Sequence, residues 1–151
     1  LALEILHEAK DKEVQIHLPS DSLCCKEFSN ELPTKVRPIN QIPEDEIGLD
    51  IGPESIKAFN EVIVNSSLIL WNGPMGVFEM SNFQNGTGSI AHSIVKATEN
   101  NAFSLIGGGD SVAAINLFKL GSKVSHVSTG GGAMLEYLEG KQLPGIEAIN
   151  N

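Results

Sequence analysis

Hydrophobic positions along the chain follow two spacings, one typical of helices and one typical of strands. Apolar residues recur every three or four positions in the first eleven residues, which predicts an amphipathic helix. Residues 14–18 then alternate apolar and polar side chains and stop at Pro19, which predicts a strand. The chain begins without Met and already inside the helical pattern, with no capping residue ahead, so we expect a truncated N-terminus.

Residues 20–52 follow neither spacing for long. Short strand-like runs at residues 22–25 and 34–37 are separated from the next motif by the turn-rich segment 41–45. We interpret this region as an irregular excursion from the main sheet.

From Pro53 onward, helical and strand patterns alternate regularly. Short apolar runs predict strands at residues 68–71, 103–106 and 126–128. Apolar residues at helical spacing predict helices around residues 53–63, 90–95, 112–118 and 134–138. This alternation predicts an α/β fold, a Rossmann-like parallel sheet with helices on both faces.

Composition and charge limit the classes of partner. The 151 residues are 41% hydrophobic and 19% charged, which is enough for one compact core. A net charge of -9 repels phosphate backbones and anionic headgroups, so we expect no nucleic-acid partner and no membrane association. The two cysteines, Cys24 and Cys25, are adjacent, which suits buried thiols in a reducing compartment, and we expect a cytoplasmic protein.

Each predicted strand after Pro53 ends in small, turn-forming residues. These are residues 72–74, 107–110 and 129–132. Because the carboxyl ends of parallel strands form the ligand crevice of an open α/β sheet, we expect the three loops to converge. Glycine lets backbone N–H groups approach phosphate oxygens, and the following helix adds roughly half a positive charge at its N-terminus. The pattern predicts a phosphorylated ligand.

A single glycine triplet between a strand and a helix is more often a tight turn than a phosphate site. Three glycine-containing loops at one edge of the sheet, however, favour phosphate binding. The sequence contains no G-x-x-x-x-G-K-[ST] motif. Neither triplet extends to G-x-G-x-x-G, because Val112 and Leu135 occupy the last positions. Walker-type and ordinary dinucleotide binding are therefore disfavoured.

Two acidic residues near these loops each allow two interpretations. Asp110 begins a predicted helix, where it either stabilises the helix dipole or, beside a nucleotide, holds Mg²⁺. Glu79 is either a surface charge or an acceptor for a ribose hydroxyl. The residues alone leave both alternatives open.

Five ordered motifs together resemble the phosphoglycerate kinases. They are residues 48–55, 70–79, 106–111, 126–133 and 138–145, and they extend over essentially the whole chain. The resemblance implies a glycolytic kinase that moves a phosphoryl group between 1,3-bisphosphoglycerate and ADP, giving 3-phosphoglycerate and ATP, with Mg²⁺. Ser111 stands where the family commonly has Thr and keeps the hydroxyl.

The resemblance also implies a role for each matching residue. The implied nucleotide-binding residues are Gly48, Leu49 and Val77 at the adenine, Glu79 at the ribose, Asn72 and Gly73 near the nucleotide, and Gly108, Gly109, Asp110 and Ser111 at the phosphates, with Asp110 as the metal ligand. The implied catalytic residues are Gly108, Gly109, Gly131 and Gly132, near the transferring phosphoryl group.

None of the three loops contains Lys or Arg, although phosphoryl transfer needs cationic stabilisation. In the family, lysines of an earlier Gly-Ala-Lys segment and a basic N-terminal domain supply that charge and bind 3-phosphoglycerate. We expect both to precede Leu1, so residues 1–151 would be a truncated C-terminal nucleotide-binding domain without the N-terminal phosphoglycerate-binding domain. Alone, this chain is expected to show negligible turnover and weak Mg-nucleotide binding, and the resemblance implies a monomer.

Two functions of other classes compete with this interpretation. A nicotinamide-dependent dehydrogenase would need the dinucleotide fingerprint that the loops lack. A non-catalytic nucleotide-sensing module fits the loops as well as a kinase does, because fold does not dictate function.

Overall fold

Two separate three-stranded sheets organise the chain in the computed structural model, which describes residues 1–150 and, for Asn150, the backbone alone. In chain order the elements are α1 (Ala2–Asp11), β1 (Asp21–Cys25), β2 (Lys35–Pro38), β3 (Ile47–Ile51), α2 (Pro53–Val64), β4 (Leu68–Asn72), α3 (Asn85–Glu99), β5 (Phe103–Gly107), α4 (Gly109–Leu117), β6 (His126–Val127), α5 (Gly131–Leu138) and α6 (Pro144–Asn150).

The second sheet is parallel, with strand order β4-β5-β6. It is flanked by helices, because α3 and α4 pack against β5 and α2 packs along α3. The apolar face of α3 lies at the centre of the main core, together with Trp71 of β4, Ile106 of β5 and Ile115 of α4. The predicted α/β fold, with its helices and strands after Pro53, is confirmed.

The first sheet is antiparallel, and β1 lies between β2 and β3. Residues 20–52 are therefore an ordered excursion from the parallel sheet. The sequence pattern did not predict this sheet, because its buried positions include the polar residues Asp21, Ser22 and Asp50 and because β2 is mostly exposed. Leu49 of β3, Cys25 of β1 and Phe83 form a second, smaller core beneath it.

Asp21 joins the antiparallel sheet to the start of α2. Pro53 begins this helix with a backbone angle suited to the first turn. Instead of a side chain of its own, the helix uses the Asp21 carboxylate, which accepts the N–H groups of Glu54 at 3.1 Å and Ser55 at 2.8 Å and the Ser55 hydroxyl at 2.6 Å. Burial raises the pKa of Asp21, but these hydrogen bonds outweigh it and lower the pKa below its ordinary value.

The prediction of a strand at residues 14–18 is wrong. This segment is extended, but it forms no ladder with any strand among residues 1–150. Its alternating apolar side chains are exposed, at 58% for Val14, 41% for Ile16 and 64% for Leu18. Alternation shows that a segment can lie between a core and solvent, but a strand also needs backbone hydrogen bonds from a partner.

The helix predicted at the start of the chain is present as α1, although it buries none of its residues. Helix α6, by contrast, was not predicted from the sequence pattern. No helix in the described part of the chain combines the length and the apolar character that crossing a bilayer requires.

Substituting Asp21→Asn should lower the free energy of unfolding by about 1–2 kcal/mol at pH 7, because an amide nitrogen would face the Glu54 N–H donor. The depressed pKa of Asp21 means that its stabilising effect is complete above the unfolded-state pKa of about 4 and disappears as the pH falls through the folded-state pKa. Urea unfolding of both proteins between pH 2 and pH 7 measures this.

Asp11→Asn is the matched control, because Asp11 is exposed on α1. It should have little effect at any pH. A stability difference for Asp21→Asn that stayed constant down to pH 2 would contradict the role of its charge.

Candidate functional site

The register of the parallel sheet brings the three glycine-containing loops to one edge. Asn72 pairs with Gly107 at the ends of β4 and β5, and Ile106 pairs with Val127 on β5 and β6. All three strands therefore end on the same side of the molecule. The predicted convergence of the loops is confirmed.

Gly108 lies at the centre of this edge, between the other two loops. A Cβ atom on Gly108 would overlap the Asn72 side-chain oxygen on one side. On the other side, a Cβ on Gly131 would approach the Gly108 backbone nitrogen to 2.6 Å. The loops are packed so closely that only glycine fits at both positions.

The backbone of Gly108 also requires glycine. Its φ is +83° and its ψ is 140°, a conformation that other residues rarely adopt. This bend places Gly109 at the start of α4, where it is exposed and a Cβ would meet no atom within 4 Å. The first N–H groups of α4 have no helical acceptor, and the space beside Gly109 is open, which favours an anion there.

Ser111 connects the second loop to the first. Its hydroxyl oxygen accepts the Gly73 N–H at 2.6 Å, and the residue is completely buried. The hydroxyl thus fixes the path of the chain after β4, a contact that the sequence pattern could not show. Its backbone N–H remains in the first turn of α4.

Asp110 is exposed in the first turn of α4, beside these N–H groups. Among the described residues it forms no ion pair or side-chain hydrogen bond, and no group of three His, Cys, Asp or Glu side chains could hold a metal ion. Mg²⁺ is commonly held in proteins by one or two carboxylates together with phosphate oxygens and water. A single exposed carboxylate next to an anion site fits that donor set.

The third loop brings Gly131 and Gly132 to the start of α5. Gly131 packs against Gly108, as described above. Gly132 is exposed, and a Cβ atom there would meet no atom within 4 Å. The Ser128 N–H donates to the Ile106 carbonyl at 2.8 Å and continues the strand pairing to the base of the loop.

A second group of the predicted residues lies on β3 and opposite it. The Val77 N–H donates to the Leu49 carbonyl at 2.8 Å. Leu49 is 5% exposed, and Gly48, Leu49 and Val77 contribute to the wall of a pocket of about 290 Å³. The structure therefore brings together all three residues that the resemblance places at the adenine.

One stretch of chain joins the two groups, and we call residues 73–79 the connecting segment. It is bonded to Ser111 at Gly73 and to Leu49 at Val77. Four residues span at most about 14 Å, so both groups lie within reach of one nucleotide. Glu79, at the end of the segment, is exposed, and no described contact ties it to the residues of α4.

Two buried polar residues hold the connecting segment, and the sequence analysis singled out neither. Thr87, in the first turn of α3, accepts the N–H groups of Met75 at 3.1 Å and Gly76 at 3.3 Å through its hydroxyl oxygen. Asp50 of β3 lies against Gly76. A polar residue inside a helix or strand gives no local signal of such a role.

Comparison with known proteins agrees with this arrangement. A sequence model described as phosphoglycerate kinase matches residues 1–141. The chain belongs to the phosphoglycerate kinase family. It is 53% identical over 149 residues to phosphoglycerate kinase of Porphyromonas gingivalis and 50% identical over 151 residues to that of Chloroherpeton thalassium.

Solved phosphoglycerate kinase structures share the fold of this chain. The structure from Coxiella burnetii superposes with a TM-score of 0.90 at 38% identity over 97% of the chain, and that from Pyrococcus horikoshii with a TM-score of 0.75 at 27% identity over 99%. The chain spans only 36% and 38% of the two sequence relatives, and 37% of each structure.

Gly108→Ala should lower the free energy of unfolding by about 1–3 kcal/mol, because alanine is strained at this φ and its methyl group would overlap the Asn72 side chain. Gly109→Ala, one residue later, is the matched control and should change stability by less than about 0.5 kcal/mol in a helix whose first turn has open space there. Urea denaturation of the two variants measures the difference. Equal stabilities would show that the contact between the loops is not needed.

Proposed function

We propose that this chain supplies most of the Mg-nucleotide site of a phosphoglycerate kinase, which transfers a phosphoryl group between 1,3-bisphosphoglycerate and ADP to give 3-phosphoglycerate and ATP. The observation that carries the proposal is the packing of three strand-end loops around Gly108, with the start of α4 open beside Asp110. Membership of the family supports the proposed reaction. The geometry of the loops supports the proposed role of this chain in binding the nucleotide.

In this proposal the phosphates of the nucleotide bind at the start of α4. The N–H groups of Gly109, Asp110 and Ser111 lack helical partners and donate to phosphate oxygens, and the helix dipole adds to the attraction. This local field explains how a chain with a net charge of -9 can bind an anion. Asp110 would hold the Mg²⁺, which would offset the negative charge of the phosphates.

The adenine would lie against Gly48, Leu49 and Val77, where the pocket of about 290 Å³ has apolar walls as well as polar ones. The ribose would then lie along the connecting segment, within reach of Glu79. Gly131 and Gly132 would lie near the transferring phosphoryl group, because Gly131 packs directly against Gly108. Backbone at these glycines can approach the reacting oxygens where a side chain would block them.

The cationic stabilisation of the transfer must come from other residues. Neither Lys nor Arg occurs in residues 72–79, 107–111 or 128–133. We therefore propose that residues 1–151 act as part of a C-terminal nucleotide-binding domain in a larger two-domain kinase. Its further parts would supply the charge and bind 3-phosphoglycerate, and the parent protein would be a cytoplasmic monomer.

Asp110→Asn tests the metal site. The variant should bind Mg·ADP about tenfold more weakly, a change of 1.4 kcal/mol, because the remaining amide oxygen is a poor ligand for Mg²⁺. In the presence of EDTA, the affinity of Asp110→Asn for ADP should not fall. Without Mg²⁺, the loss of the Asp110 negative charge does not weaken the binding of the ADP phosphates. NMR titration of the ¹⁵N-labelled chain measures both affinities at millimolar nucleotide, where we expect this chain to bind.

Asp11→Asn serves as the control, because it removes an equal charge from the distant helix α1 and should leave both affinities unchanged. If Asp110→Asn weakened ADP binding equally with and without Mg²⁺, Asp110 would not be a metal ligand.

The chain of 151 residues should show no turnover above the blank in a coupled assay of ATP formation from 1,3-bisphosphoglycerate and ADP. The reason is that its three loops contain no Lys or Arg side chain to stabilise the transferring phosphoryl group. Such side chains lower the activation free energy of phosphoryl transfer by several kcal/mol. Measurable turnover by the purified chain would contradict this.

A further inference from the structure

We propose that Asp50 is a positioning residue for the adenine side of the nucleotide site: its buried carboxylate and the first turn of α3 hold the connecting segment at the distance from β3 that the base requires. The inference rests on the proposed function, and it concerns a residue to which the family motifs assigned no role. It is carried by the contacts of one residue with three separate parts of the fold, two of them through its side chain and one through its backbone carbonyl.

The first contact is with α3. One carboxylate oxygen of Asp50 accepts the Gly86 N–H at 2.7 Å, and the other accepts the N–H of Ile51 at 2.9 Å. Gly86 lies in the first turn of α3, where the N–H groups have no helical acceptor. Asp50 therefore fixes where α3 begins, although it lies 36 residues away in sequence.

The second contact is with the connecting segment. A Cβ atom on Gly76 would overlap the Asp50 carboxylate and come within 2.7 Å of the Asp50 Cα. On the other side, Thr87 accepts the N–H groups of Met75 and Gly76. Gly76 is thus held between Asp50 and the first turn of α3, a turn that Asp50 itself anchors.

The third contact is with the antiparallel sheet. The Asp50 carbonyl accepts the Ser22 hydroxyl at 2.8 Å, and Asp50 follows Leu49 directly in β3. Val77, the residue after Gly76, pairs with that same Leu49. The Asp50 side chain reaches this pair through Gly76, so we expect a change of that side chain to alter the spacing between Leu49 and Val77, the two apolar residues proposed to hold the base.

Asp50 acts through these contacts and not as a charge partner. It is 4% exposed, and no described Lys, Arg or His forms an ion pair with it. Burial raises its pKa, and the N–H groups of Gly86 and Ile51 partly offset that effect. A buried carboxylate that bonds only to backbone N–H groups is suited to fixing loop geometry.

The experiment compares two ligands that share a diphosphate and differ in the nucleoside, Mg·ADP and Mg·pyrophosphate, by NMR titration of the 151-residue chain. Asp50→Ala should weaken Mg·ADP binding about tenfold and change Mg·pyrophosphate binding by less than about twofold. No described contact joins Asp50 to the proposed phosphate site at α4, so only binding of the nucleoside should weaken. Asp50→Asn, which keeps an oxygen to accept the Gly86 N–H, should recover most of the loss.

Ser104→Ala is the control for a general loss of packing. Ser104 is completely buried at the opposite end of β5, where its hydroxyl accepts the Ser125 N–H at 3.0 Å. This variant should bind both ligands normally. If Asp50→Ala does not fold, Gly76→Ala tests the same contact by pushing the connecting segment away, and it should show the same difference between the ligands.

The outcomes separate the two proposals. If the unmodified chain bound neither ligand, the nucleotide site itself would be wrong, and this inference with it. Unchanged Mg·ADP binding by Asp50→Ala, or an equal loss for both ligands, would overturn only the role of Asp50.

Discussion

The in-register parallel pairing of β4, β5 and β6 is the constraint on which the candidate site depends. It places Asn72 opposite Gly107 and so begins two loops at the same level of the sheet. A change of register by one residue would exchange the buried and exposed faces of β4 and move its loop away from Gly108. The core side chains that fix this register, among them Ile69 and Ile106, therefore also fix the site.

The two halves of the candidate site come from different sheets, and a few buried polar contacts join them. The proposed phosphate half lies at the ends of the parallel strands, and the proposed adenine half lies on β3 of the antiparallel sheet. Only the connecting segment belongs to both, through Gly73 and Val77. Apolar packing alone tolerates small displacements between sheets, whereas the hydrogen bonds that Thr87 and Asp50 accept from backbone N–H groups fix distances.

Sequence patterns were sufficient for the parallel half of the molecule and for the edge where a ligand would bind. From Pro53 to Leu138, helices of 8 to 15 residues show their period and alternate with short apolar runs, and the rule for strand ends then places the loops together. The antiparallel sheet was not predicted, because polar residues such as Ser22 and Asp50 occupy its buried positions and hide the apolar pattern. The strand predicted at residues 14–18 failed because periodicity shows the exposure of side chains and not the presence of a partner strand.

Residues that act through distant contacts lie outside what a sequence pattern can indicate. Asp21 caps a helix that begins more than thirty residues later in the sequence, and the Ser111 hydroxyl accepts a hydrogen bond from the Gly73 backbone. Glycine is informative at Gly108, because its backbone conformation and its neighbours both exclude other residues. The ligand roles of Asp110, Glu79 and the adenine-side residues remain predictions based on family resemblance.

Trp71 gives the molecule an intrinsic optical reporter. It is the single tryptophan of the chain, it is 5% exposed in the core of the parallel sheet, and it directly precedes Asn72. Its fluorescence therefore follows the environment of the parallel sheet, which carries the three glycine-containing loops, whereas the antiparallel sheet contains no tryptophan and does not emit at the same wavelength. Emission and far-ultraviolet circular dichroism would coincide during unfolding only if the two sheets melt together, so the pair of signals measures how strongly the sheets are coupled.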